Sequence, residues 1–139
     1  MGNINTGRWL AGGVVAGIVL WLIEGAASML YMEEATAALA AHGLSMQMSP
    51  AFWALTCIIS LLMGIAIVFF YALARARLGA GPKTAIIVGI AAYFGFYLPT
   101  ILGYMMIDLY PRTMLHTWAM IGLVELIVVS LAGAWVYKE

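Results

Sequence analysis

The chain has 139 residues, 65% of them hydrophobic and 9% charged, with a mean hydropathy of +1.05 and a formal net charge of zero. A soluble domain carries about 25% charged residues, so this composition excludes a water-facing fold, and the length allows one compact transmembrane domain with no room for a soluble catalytic one. Zero net charge gives no footprint for nucleic acid, and a single cysteine, Cys57, excludes an intrachain disulfide and any cysteine-based zinc or iron–sulfur site.

Four apolar runs follow one another, near 9–32, 51–74, 84–107 and 113–136. Each has the ~20 residues needed to cross a bilayer. The sequence therefore predicts an all-α, four-helix transmembrane bundle over residues 1–139. The first run holds no charge from Trp9 to Ile23, and then comes Glu24. One basic residue before it and GAAS after it mimic a secretory signal, but the run is too long and carries an acid, so it reads as a retained span. Glu33 to Ser49 is the one sizeable connection. Its EEATAALAAHG reads as a short amphipathic helix, with acids in the first turn and Gly43 as the stop. Ser49 and Pro50 form an N-cap and first-turn proline for the second span. Leu78-Gly79-Ala80-Gly81-Pro82 ends that span and starts the third, and 108–111 turns into the fourth.

Orientation follows from the basic residues. With the N-terminus inside, Arg8, Arg75, Arg77, Lys83 and Lys138 fall on the cytoplasmic side and only Arg112 outside, the asymmetry that sets membrane topology. Both termini are then cytoplasmic, the short helix is external, and the protein is a multi-pass component of the cell inner (cytoplasmic) membrane. Trp9, Tyr71, Trp135 and Tyr137 mark the inner aromatic belt, and Tyr31, Trp53, Tyr104 and Tyr110 the outer one.

Helical spacing gathers polar and small residues into one stripe per span. The first stripe has Gly13, Gly17, Glu24, Ser28 and Tyr31, and its two glycines, four apart, allow another helix to approach closely. The second has Thr56, Ser60, Gly64 and Tyr71; the third Tyr93, Tyr97, Thr100 and Tyr104; the fourth Trp118, Gly122, Glu125 and Ala132. Pro99 frees the carbonyl of Gly95 to point into the bundle or toward a neighbour. Glu125 lies near the midplane and Glu24 ~5 Å outward of it, with Ser60, Tyr97 and Thr100 in the same slab. No lysine, arginine or histidine shares that depth, so a facing pair holds at least one proton at neutral pH. An intramembrane acid is by default a functional-site hypothesis.

Two readings of that seam stand side by side. In the first, Glu24 and Glu125 bind protons or cations in a transporter or channel-like protein, with Ser60, Tyr97 and Thr100 completing the site. In the second, a protonated glutamate hydrogen-bonds a tyrosine, a threonine or the Gly95 carbonyl and only locks helices together, as in a scaffold or accessory subunit. The lipid bilayer is the first partner, and a homo-oligomer or a larger membrane complex the next. An enzyme comes third, since there is no HExxH, no serine–histidine pair at one depth and no nucleotide loop. No cofactor is expected. His116 offers a ligand for haem or pigment, but a lone interfacial histidine reads first as a satisfied polar tip, and His42 is too far from Glu33 and Glu34 for a metal site.

NINTGRWLAGGVVAG with Glu24 after it, LGAGPKTA in the middle and LAGAWVYKE at the end resemble a group of small uncharacterised bacterial membrane proteins. That resemblance implies four spans and no known activity. The architecture is also similar to that of the small multidrug resistance transporters, four helices with a key glutamate in the first. Their motif around that glutamate is missing here, the chain is longer and a second acid is added, so no residue is carried across.

Overall fold

The computed structural model describes residues 4–137, so Lys138, counted above among the basic residues, lies outside the described part. Every regular element among the described residues is helical: α1 (Thr6–Ser28), α2 (Met32–Ala41), α3 (Pro50–Leu78), α4 (Pro82–Ala92), a π-helical turn (Tyr93–Tyr97), α5 (Leu98–Met106) and α6 (Arg112–Val136). α4, the π turn and α5 form one continuous rod, Pro82–Met106. With α1, α3 and α6 it makes four helices long and apolar enough to cross a membrane, the architecture of a multi-pass membrane protein.

The ends of these helices follow local chemistry. The Asn5 side chain accepts from the Arg8 amide at 3.1 Å, and the Ser49 hydroxyl from the Phe52 amide at 3.2 Å, each satisfying a first-turn donor. α1 stops at Ser28, earlier than its apolar run. The Ser28 hydroxyl donates to the Gly25 carbonyl at 2.8 Å, which satisfies a last-turn acceptor without a further helical N–H.

The third span departs from the expected regular helix. Pro99 has no N–H, and in an α-helix its ring would meet the carbonyl of Gly95. The chain widens instead, and the Leu98 amide bonds the Tyr93 carbonyl five residues back. The extra residue in that turn shifts the helical phase beyond it. Ile101, 2% exposed, takes the inward position expected for Thr100. Thr100 faces outward, its hydroxyl donating to the Phe96 carbonyl at 2.9 Å. Gly95 is exposed too, so its carbonyl belongs to the outer face of the rod and not to the interior.

The helices form a ring in the order α1, α3, α4, α6 and back to α1. Lipid tails are as apolar as leucine, so close packing, not water exclusion, holds such helices together. A Cβ on Gly13 would lie 2.7 Å from the Cα of Ile65, and one on Gly17 2.6 Å from the Cα of Leu61. Gly64 faces the backbone of Gly13 and Gly17 in return. α1 and α3 therefore meet backbone to backbone. Gly12 opposite Gly133 does the same for α1 and α6, and Gly89 admits the Ile127 backbone of α6 against α4. Where α4 meets α6, the buried Ser130 hydroxyl donates to the Ala85 carbonyl at 2.8 Å.

The two aromatic belts are only partly belts. Trp135 is exposed on the outside of the bundle, but Tyr71 and Tyr137 are buried and pack edge to face with centroids 6.0 Å apart. Each phenol oxygen accepts a backbone amide, from Gly81 at 3.1 Å and Asn5 at 3.3 Å. Free backbone amides of this kind lie at helix starts, before α1 and α4, so these two rings close that end of the bundle. Arg75 lies over the Tyr137 ring, 5.2 Å from its centroid.

Candidate functional site

Beyond the π turn, α5 stays on α6 and makes no substantial contact with α3. The N-terminal half of α3 and the Leu98–Met106 part of the third span thus diverge, and a cavity of about 560 Å³ opens between them. Glu24 of α1 lines it, together with Ser60 and Thr56 of α3, Tyr97 of the π turn, Tyr104 of α5 and Trp118 of α6. α2 closes part of one end, burying Ala35 against it and accepting at Glu34 Oε1 from the Thr113 hydroxyl of α6 at 3.2 Å. Among the described residues no lysine, arginine or histidine lines the cavity.

Glu24 is half-buried and held by two phenols. Tyr97 Oη donates to Oε1 at 3.0 Å and Tyr31 Oη to Oε2 at 3.3 Å. Tyr97 reaches that position because Gly122 of α6 has no side chain. A Cβ there would stand inside the Tyr97 ring. Trp118 joins the aromatic wall, with its centroid 5.6 Å from Tyr31, 6.5 Å from Tyr97 and 5.8 Å from the nearly parallel ring of Tyr104. In the connections between spans, burial first and then Glu24 push the Tyr31 phenol far above its ordinary value. Burial first and then Tyr104 raise that of Tyr110. Both remain neutral donors and ring surfaces across the physiological range.

Glu125, one turn beyond Gly122 on α6, is 1% exposed, and among the described residues no donor reaches either of its oxygens. It lies beside the Glu24 carboxyl, close enough for the two to interact side chain to side chain when one of them carries a proton. The Trp118 Nε1–H is also buried, with no partner among the described residues. Buried polar groups are nearly always paired, and each exception asks for a reason.

Of the residues expected at the seam, Glu24, Ser60 and Tyr97 meet at the cavity, Glu125 lies sealed behind it, and Thr100 is outside. His116 is exposed and does not line the cavity. Among the described residues no group of three histidine, cysteine or acidic side chains is placed to hold a metal. Trp21 did not belong to any polar stripe, yet it lines the cavity and donates from Nε1 to the Thr56 hydroxyl at 3.2 Å. Its spacing of three from Glu24 was the available signal. A second cavity, about 570 Å³, lies at the other end beside Tyr71, Arg75, Gly81 and Trp135, and no carboxylate among the described residues lines it. No protein-family model, curated protein or solved structure matches this chain.

Gly122 provides a test of the geometry that touches neither acid. Gly122→Ala is expected to displace the Tyr97 ring and break its bond to Glu24 while leaving α6 intact, since alanine favours a helix over glycine by about 1 kcal/mol. The shifted hydroxyl should appear as a changed Tyr97 ring resonance in a labelled sample. An unchanged resonance would mean that Tyr97 does not lean on this gap.

Proposed function

We propose that this protein is a small transporter or channel-like membrane protein in which Glu24 exchanges a proton for a cation. The reading is carried by one juxtaposition. Glu24 can be reached from the cavity, and it faces a sealed second acid with no basic side chain among the described residues of the cavity wall to neutralise either. A carboxyl in such a place is neutral when protonated and neutral again when a cation sits against it, whereas the bare anion is costly in a low-dielectric layer. Glu125, sealed and without a donor, keeps its proton. Glu24 is the member that exchanges, and Tyr31 and Tyr97 then donate to the carboxylate left behind.

The basic residues orient the protein with both termini in the cytoplasm, the cavity opening toward the outside and α2 at the external face. The host is a bacterial inner membrane, as the resemblance to small bacterial membrane proteins implies. About two thirds of each span's apolar window is not buried within the chain, which leaves ample surface for lipid, further copies of the chain or a larger complex.

A second reading has its own support. The Tyr97 bond to Glu24 ties α1 to the third span, as a scaffold requires, while Tyr31 steadies the same carboxyl from the turn after α1. Infrared titration of the carboxyl stretch separates the two. Coupled titration in the parent, reduced to a single step in both Glu24→Gln and Glu125→Gln, is the expected result. Two independent carboxyls with ordinary values would remove the exchange site and leave the scaffold.

A further inference from the structure

Independently of what Glu24 exchanges, we infer that the second cavity, at the opposite end of the bundle, is a binding site for an anionic phospholipid. Its headgroup phosphate sits between Arg75 and Tyr71, and an acyl chain runs along α6. The cavity of about 570 Å³ lies between the end of α3, the start of α4 and the last turns of α6. Its polar side chains are placed to donate. Arg75 lies over the Tyr137 ring, 5.2 Å from the centroid, which orients the guanidinium, and five N–H groups let one guanidinium serve several acceptors. Tyr71 is 4% exposed, and its phenol oxygen accepts from the Gly81 amide at 3.1 Å. The phenol proton then needs an acceptor of its own, and none among the described residues receives it. Tyr71 and Gly81 both line the cavity, so that proton is left at its wall. A buried donor of this kind asks for a partner. A phosphate oxygen accepts from a phenol and a guanidinium alike.

The rest of the wall explains why the phosphate belongs to a lipid. Leu131, Ala134 and Trp135, three and four residues apart, form one apolar stripe on α6. A soluble phosphate has no use for that stripe, whereas an acyl chain lies along it. Charge selects the headgroup. Among the described residues this end of the bundle carries Arg8, Arg75, Arg77 and Lys83, while Glu33, Glu34 and Asp108 lie at the opposite end and Glu24 and Glu125 within the spans. A zwitterionic lipid would bring an ammonium group among these cations, with no carboxylate among the described wall residues to receive it. An anionic lipid brings only the charge that is wanted, and basic pockets between spans hold such headgroups. On the orientation proposed above, the site faces the cytoplasmic leaflet.

The probe is dioleoylphosphatidylglycerol, added to the delipidated full chain in detergent and counted by native mass spectrometry. About one lipid per chain is expected to be retained, and dioleoylphosphatidylcholine should not displace it. High salt screens charges on a surface far more than those in a cavity. Under that condition Arg75→Gln should weaken retention at least about tenfold and Tyr71→Phe about fivefold. Arg75→Lys, which keeps the charge and loses the fork, should lie between Arg75→Gln and the parent. Arg77→Gln removes the same charge from the same end but not from the cavity wall, and it should match the parent. Glycerophosphoglycerol, the same headgroup without chains, should bind far more weakly than the lipid. Equal retention of the two lipids by the parent would overturn the assignment without any variant. Equal losses in Arg75→Gln and Arg77→Gln would do the same, since surface charge would then be the whole cause. If the bare headgroup binds as tightly as the lipid, the cavity is a site for soluble phosphate esters and the lipid assignment is wrong.

Discussion

Glu125→Met is expected to make the protein more stable and to stop cation-linked proton release. Glu125 is 1% exposed, and among the described residues no donor reaches either oxygen. Leaving a buried polar group unpaired costs about 1–3 kcal/mol, and replacing it by an apolar side chain of similar volume recovers that cost. Methionine fills the same space with flexible, apolar atoms. Thermal unfolding in detergent should therefore show a gain of about 1–3 kcal/mol in Glu125→Met and little or none in Glu125→Gln, which keeps the polarity but not the proton. The proton coupling to Glu24 should be lost in both. A chain that retains a group at the expense of stability retains it for something other than packing. If Glu125→Met instead destabilises the fold, the carboxyl has a structural partner and the scaffold reading gains.

Adding one methyl group to Gly64 is expected to separate α1 from α3. Its Cβ would enter the backbone of Gly17, where no side chain can rotate away. Gly17→Leu acts from the other side, against the Leu61 Cα at 2.6 Å and the Ser60 carbonyl at 2.8 Å. Overpacking of this kind costs about 1–3 kcal/mol where side chains can adjust, and backbone contacts place both variants at or above the upper end. Gly103→Ala is the control. Nothing lies within 4 Å of its added Cβ, and the alanine improves helix propensity. Denaturation should rank Gly64→Ala and Gly17→Leu well below the parent and Gly103→Ala level with it or above. Equal stability for all three would mean that α1 and α3 do not meet as the structure places them.

The sequence determined by itself that the chain is helical and apolar enough to cross a membrane four times. That information is local, because run length, the Ser49–Pro50 start and the Gly79–Pro82 break are each decided within a few residues. Glu24 and Glu125 were also legible, since a charge inside an apolar run needs no fold to be conspicuous. What the acids face was not legible. Stripes drawn at a constant helical period put Thr100 beside them, but Pro99 forces a wide turn that carries Thr100 outward and brings Ile101 in, while Tyr104 still reaches the cavity. The stripes also hid the difference between the acids. Only the packing of α1, the π turn and α6 leaves Glu24 at a cavity under two phenols and shuts Glu125 away without a partner. Aromatic residues near the ends of spans met the same limit. Trp135 faces outward and Tyr71 and Tyr137 inward, because a ring that suits the membrane interface also suits a bundle end, and only neighbouring helices choose between them.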